Sequence, residues 1–257
     1  MTDHDLNDLH DGAIPAATLV IFRAAGGGAP ELLMVERAKE MSFAGGAMVF
    51  PGGRVDGGDH VLAELLGGDA ETASRIAAIR ETIEETGVPV GLKPMPSAEA
   101  LAAMRAALHA GTPFAEALAD AGSALDLDML EPWARWLPAH RGMKRFDTRF
   151  YLAELPADAP RATVDATENV RLVWATAQSV LDDADAGKLA IIFPTRRNLE
   201  RLALFDNFAD AVAHARATPI RIVTPWTEER SGEQHLCIAD DAGYPVTSEP
   251  LSGAMRA

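Results

Sequence analysis

Apolar and β-branched residues crowd two short runs near the start of the chain, "AATLVIFRAA" (16–25) and "ELLMVERA" (31–38), on either side of "GGGAP". Runs of this kind bounded by glycine and proline predict two strands joined by a turn. Neither a Lys-Ser or Lys-Thr pair nor a helix follows Gly26 to Gly28, so a hairpin turn is expected there rather than a phosphate loop. "AMVF" (47–50) predicts a third short strand, ended by Pro51. From Asp69 to Thr86 the periodicity turns helical, with Asp69 as N-cap, Glu71 in the first turn, Gly87 just past the end and Pro89 beyond. "SAEALAAMRAALHAG" (97–111) and "PFAEALADAG" (113–122) predict a small helical insert. Strand signals return at 133–137, 148–155 and 170–176, and "FPTRRNLERLALF" with "NFADAVAHARA" predicts paired helices before a short strand at 220–223. Strands, then a helix, then strands and helices again favour an α/β layered domain.

Composition narrows what such a domain can bind. Its 257 residues, 48% hydrophobic and 24% charged, suffice for one sizeable core with insertions. A net charge of −15 argues against nucleic acid as a partner, because phosphate backbones are held by clustered Lys and Arg. An anionic substrate then needs a metal ion or a local basic patch. Cys237 stands alone, so no internal disulfide can form and a reducing compartment is expected. No apolar run approaches the roughly 18 to 20 residues that span a bilayer. The acidic start "MTDHDLNDLHDG" has the wrong chemistry for a targeting peptide, and the final "MRA" is no peroxisomal address; a cytoplasmic protein is expected.

The informative stretch is "RETIEETG" (80–87), downstream of "FPGGRVDGGD" (50–59). At about 100° per residue, Ile76, Ile79, Ile83 and Gly87 fall on one arc and Glu81, Glu84 and Glu85 on another. Carboxylates at these spacings repel by a few tenths of a kcal/mol per pair, roughly, and no Lys sits among them. A hard divalent cation would remove the conflict. Arg80 falls beside the isoleucine face and needs a partner, either a carboxylate or loop carbonyls.

Taken with "FPGG", this stretch resembles the signature of the Nudix hydrolases: Gly, five residues, Glu, seven residues, then Arg-Glu-apolar-any-Glu-Glu-any-Gly-apolar. The second half here is "RETIEETGV", with Thr82 where an aliphatic residue is usual. The first half starts at Gly53, and Asp59 stands where Glu is expected. Twenty residues separate Asp59 from Arg80 in place of seven, which implies an insertion of thirteen, about ten of them looped out before the helix. The resemblance implies an α/β/α sandwich with a central mixed sheet, extended by the helical insert and C-terminal helices. It further implies that Glu81, Glu84 and Glu85 ligate Mg²⁺ or Mn²⁺, that Glu81 or a neighbour acts as base, and that the Gly52 carbonyl completes the shell. Arg80 would brace the loop against the helix. Family members often add a carboxylate from a later loop, for which Glu168 is the first candidate and Asp165 the second.

"LMVERAKEMSFAGGAMVFPGG" is similar to the element that marks the coenzyme A diphosphatase branch, keeping its spacing at Arg37, Ala38, Gly46 and Phe50 to Gly53. It departs at Val35, in place of Thr, and at Ser42, in place of Arg. "RFDTRFYLAELP" and "FPTRRNLERL" look like the acyl-coenzyme A diphosphatase subgroup, which makes Arg145, Arg149, Arg196 and Arg197 candidate phosphate contacts. The implied reaction is metal-dependent hydrolysis of coenzyme A or acyl-coenzyme A to 3′,5′-ADP and (acyl-)4′-phosphopantetheine. ADP-ribose, NADH, dinucleoside polyphosphates, nucleotide sugars and nucleoside triphosphates stay open as substrates, as does a non-catalytic nucleotide sensor, against which the intact carboxylates argue. Family members often form homodimers, and no apolar stripe decides that here. Trp133 and Trp136 read as core or lid packing. The resemblance covers about residues 14 to 225, leaving 1–13 as a mobile tail and 226–257 as an extension.

Overall fold

The computed structural model describes residues 12–39, 44–139, 144–164 and 169–254. Glu168 and Asp165, the candidates for a later metal ligand, lie outside the described residues, as does Ser42.

Among the described residues the main sheet has eight strands. Its path runs from β10 (Ile222–Val223) through β7 (Glu131–Trp136), β8 (Phe146–Glu154), β1 (Ile14–Arg23) and β2 (Glu31–Arg37) to β3 (Met48–Val49). β4 (Gly52–Arg54) pairs with β1, and β9 (Asn169–Thr176) pairs with β2. β1 and β8 are parallel, whereas β1 and β2 are antiparallel, so the sheet is mixed. Layers cover both faces, which is why β1 and β2 are nearly continuous apolar runs rather than alternating ones. Ala17, Leu19 and Ile21 point to one layer, with Ile76, Ile79 and Ile83 of helix α2 (Ala70–Thr86). Val20 and Phe22 point to the other, with Trp133, Trp136 and Leu199. The fold is an α/β/α sandwich.

Helix α2 begins and ends as its sequence predicts. Asp69 accepts from the Glu71 and Thr72 N–H groups, and Gly87 at φ 64° closes it in the left-handed conformation that favours glycine. The insertion before it differs from expectation. Residues Gly57–Leu65 form a helix, α1, whose capping box joins Asp56 and Asp59, so most of the stretch expected to loop out is helical and Asp59 lies inside it. Two leading glycines, poor helix formers, conceal it in the sequence.

The predicted insert is a pair of helices, α3 (Ala98–His109) and α4 (Phe114–Asp120), burying Leu101, Met104, Leu108 and Phe114 in the α2 layer. The strands that flank them along the chain, β5 (Leu92–Lys93) and β6 (Ala124–Leu125), pair as a two-stranded ribbon. A helix that the sequence does not announce, α5 (Ala177–Asp185), follows β9; only Ala177, Val180 and Leu181 mark its buried face, too few to register a period. Helices α6 (Phe193–Leu202) and α7 (Phe208–Ala217) are the predicted pair. Beyond them β11 (Trp226–Arg230), β12 (Glu233–Cys237) and β13 (Ser248–Pro250) make a small antiparallel sheet, followed by a single turn, α8 (Leu251–Ala254). Ile238, Ala242 and Tyr244 from this region join the second core. Among the described residues no helix is long and apolar enough to cross a membrane.

Candidate active site

β1 pairs with β4 through Ala16, Ala17 and Thr18 and with β2 only from Phe22 onward, so the sheet forks. Beside the fork lies a cavity of about 500 Å³. Glu81 and Glu84 line it with Arg80, Gly52 and Gly53; Arg37, Arg54 and Lys144 add positive charge; Phe50, Trp136, Phe146 and Phe150 add apolar wall. Acidic, basic and aromatic surfaces therefore meet in one space.

Close packing of β4 on α2 sets the geometry. A Cβ on Gly52 (φ 154°) would stand 2.3 Å from the Ala17 carbonyl, and a Cβ on Gly53 would stand 2.4 Å from the Glu81 carboxyl carbon. Only glycine lets the loop approach the helix this closely. The Gly52 N–H donates to Glu85 Oε2 at 2.9 Å, tying the buried Glu85 to the loop.

Arg80 is the hub. Its Nε and Nη2 donate to the two oxygens of Asp59 at 3.0 and 2.9 Å, and Nη2 also donates to the Arg54 carbonyl at 3.0 Å. Nη1 donates to Glu81 Oε1 at 2.9 Å and Glu84 Oε1 at 3.0 Å. Carboxylate and loop carbonyl, the two kinds of partner left open by the sequence, are thus both used. The guanidinium also supplies a counter-charge that the helix arcs did not show, because its long side chain reaches round to the glutamate side. Asp59, 1% exposed, accepts from the Asp56 N–H as well as from Arg80, so the same carboxylate starts α1 and fixes the hub.

Burial pushes the Glu81 carboxyl up to about 8, with Glu85 and Glu84 adding to the effect and Arg80 opposing it. For Arg80 burial works against the charged form, but Asp59, Glu81 and Glu84 outweigh it and hold the guanidinium protonated. The site therefore carries more carboxylate charge than one guanidinium offsets.

Among the described residues no three His, Cys, Asp or Glu side chains stand arranged as a ready cation cage. Glu81 and Glu84 each lend an oxygen to Arg80, and Glu85 lends one to the Gly52 N–H. Glu81 and Glu84 line the cavity and Glu85, on the same turn, does not; hard oxygen donors carrying surplus charge at a cavity fit a divalent cation such as Mg²⁺ or Mn²⁺.

The remaining candidates divide. Arg37 and Phe50 line the cavity. Gly46 does not; at φ 77° its N–H bonds the Arg37 carbonyl at 3.0 Å, shaping the turn beside Arg37. Arg145 is absent from the lining, its carbonyl accepting from the Ile14 N–H, while its neighbour Lys144 lines the cavity. Along β8, Phe146, Thr148 and Phe150 face the cavity and Arg149 faces away, ion-paired with Glu71 of α2. Arg196 is ion-paired with Asp185, and Arg197, 1% exposed, with Glu200 and Glu249. Neither is among the residues that line the cavity. Strand alternation was the available signal for β8: if Phe146, Thr148 and Phe150 share one face, Arg149 cannot join them. Lys144, Arg54, Thr18 and Thr195, which also line the cavity, carried no signal in the sequence. Trp133 and Trp136 are both buried, and their indole N–H groups donate to Asn198 and Tyr244.

An α/β/α domain that aims helix-borne carboxylates into a cleft beside a glycine turn is the class these features define. The chain belongs to the Nudix hydrolase family: the family model described as the NUDT19 Nudix domain matches residues 60–202, more than half its length. It is similar to the acyl-coenzyme A diphosphatase NUDT19 of Gallus gallus, 26% identical over 237 residues, covering 70% of this chain and 63% of that protein. It is also similar to the putative nudix hydrolase 7 of Caenorhabditis elegans, 31% identical over 175 residues, covering 67% of this chain and 55% of the relative. The chain thus spans less than two thirds of the length of both curated relatives. Among solved structures, a NUDIX hydrolase from Alicyclobacillus acidocaldarius superimposes with a TM-score of 0.67 at 28% identity, covering 78% of this chain and 96% of that one.

Proposed function

We propose that the protein hydrolyses the diphosphate linkage of a nucleotide, with coenzyme A or acyl-coenzyme A as substrate and 3′,5′-ADP and (acyl-)4′-phosphopantetheine as products. The observation that carries this reading is the cavity itself, where Glu81 and Glu84 share one space with Arg37, Arg54 and Lys144. Carboxylates alone would repel a diphosphate, and cations alone would bind it without activating water. Glu81, Glu84 and Glu85, with the Gly52 carbonyl, would hold Mg²⁺ or Mn²⁺, which when bound offsets phosphate charge and lowers the pKa of a water. Arg37, Arg54 and Lys144 would orient the phosphate oxygens as donors. Glu81 or a neighbouring carboxylate, held ionised by Arg80 and the cation, would take the proton from the attacking water. Arg80 holds Glu81 and Glu84 at fixed separation, so the base does not drift as it gains a proton. Phe50, Trp136, Phe146 and Phe150 exclude water and offer the organic part of the substrate an apolar wall. The coenzyme A assignment draws on the spacing at Arg37, Gly46 and Phe50 and on the activity named for the Gallus gallus relative.

The test is a substrate panel with Mg²⁺ or Mn²⁺: coenzyme A, acyl-coenzyme A, ADP-ribose, NADH, diadenosine polyphosphate and nucleoside triphosphates, with products separated by chromatography. Release of 3′,5′-ADP from the first two alone is the expected result. Turnover confined to the others would keep the hydrolase and discard the coenzyme A assignment.

A further inference from the structure

The helical insert at 97–122 has no role in the reading above, yet one of its residues touches the catalytic helix where two glutamates sit. A helix leaves its last four carbonyls without intrahelical partners. In α2 two of them are met by a cation from α3. Arg105 Nε donates to the Glu84 carbonyl at 2.8 Å, and Arg105 Nη2 donates to the Glu85 carbonyl at 2.9 Å. Its third nitrogen, Nη1, donates to Thr163 Oγ1 at 2.8 Å, and the Thr163 N–H in turn donates to the Thr86 carbonyl at 2.9 Å. The last turn of α2 is thus held from outside by one guanidinium and one backbone amide, and the positive charge sits at the negative end of the helix dipole.

We infer that Arg105 is a positioning residue for the carboxylate site: the insert exists in part to brace the helix turn that presents Glu84 and Glu85. This rests on the reading of those carboxylates as cation ligands. Arg105 does not line the cavity, and its bonds to α2 go to the backbone carbonyls of the two residues. Without it the turn loses two charge-assisted bonds and frays, and carboxylates that must converge are free to spread. Leu108, four residues from Met104 on the same buried face of α3, packs the insert without touching α2's carbonyls, and serves as the comparison.

The experiment compares wild type, Arg105→Met, Arg105→Lys and Leu108→Ala by calorimetric Mg²⁺ titration of the cation-free protein and by amide hydrogen exchange. Expected for Arg105→Met is a rise of roughly tenfold in the half-saturating Mg²⁺ concentration, of the size seen when a partner of a metal ligand is removed. Faster exchange should be confined to the amides of residues 83–87. Arg105→Lys should recover part of both, since an ammonium replaces one of the two carbonyl bonds. Leu108→Ala should lower the melting temperature while leaving the Mg²⁺ titration unchanged. The inference is overturned if Arg105→Met leaves exchange at 83–87 and the Mg²⁺ titration as in wild type, or if Leu108→Ala weakens Mg²⁺ binding equally. If wild type binds no Mg²⁺, the cation reading falls, while the exchange measurement alone still decides the bracing.

Discussion

Two buried arginine networks belong to helices in different layers of this molecule, and their difference argues for the candidate site better than either does alone. Around Arg80 stand Asp56, Asp59, Glu81 and Glu84, four carboxylates to one guanidinium. Around Arg197 stand Glu200 and Glu249, with Arg196 also near Glu200 and paired with Asp185, so charges there are nearly balanced. Burial raises a carboxyl in each, Glu81 to about 8 and Glu200 to about 7. A raised carboxyl is therefore no mark of function by itself. The Arg80 network differs in holding surplus negative charge and in opening on a cavity; the Arg197 network is closed over by β13 through Glu249. A charge surplus at an opening is what a cation can use, whereas a balanced and enclosed one holds elements together.

The largest separation of the two networks should come from Glu84→Gln. Turnover on whichever nucleotide proves to be the substrate should fall by at least about a hundredfold. The melting temperature should hold or rise slightly, because a like charge has been removed. Arg197→Met should do the reverse. Leaving Glu200 and Glu249 without their guanidinium costs about 3 to 5 kcal/mol, or roughly 10 °C in melting temperature, with turnover per folded molecule unchanged. If Arg197→Met abolishes turnover at temperatures where it stays folded, the closed network is more than structural.

A smaller effect should follow from pH. Burial raises Glu81 from 4.5 to about 8 and Glu200 from 4.5 to about 7, so the folded, cation-free protein binds more protons than the unfolded chain in those windows. That stability is present in full below about pH 4.5 and is lost as pH rises, through about 7 for Glu200 and about 8 for Glu81. Melting curves across pH should show this decline. Saturating Mg²⁺ should flatten the portion due to Glu81, since the cation takes the place of the proton. Glu200→Gln should remove only its own share and leave the Mg²⁺ effect intact. Smallest of all, Gly53→Ala should displace the Glu81 carboxyl, which lies 2.4 Å from the new methyl position, and cut turnover about tenfold with little change in stability. Gly26→Ala, with open space around it, should change neither.

Much of the frame was legible from short-range pattern. The predicted strands at 16–25, 31–38 and 148–155 and the helix at 69–86 appear where expected, because long apolar runs and a capped amphipathic period leave few alternatives. α1 and α5 were hidden, one behind its glycines and the other behind a polar surface with three buried apolar residues. The glutamates of α2 were found by their spacing. Arg196 and Arg197 were offered for the cleft on resemblance, and the packing of α5 and β13 against α6 gave them other partners.

The sequence alone determined the composition of the candidate site: three carboxylates on one helix, an arginine before them and a glycine turn upstream, each specified by local spacing. The tertiary structure alone decided which charges share a space. Asp59 reaches Arg80 because α1 folds back over twenty intervening residues, Lys144 rather than Arg145 turns to the cavity, and Arg105 arrives from an insert that no local period connects to α2. Spacing along a helix fixes which side chains share its face; which distant side chain lies within about 3 Å of them depends on how the layers pack, and local sequence does not encode that distance.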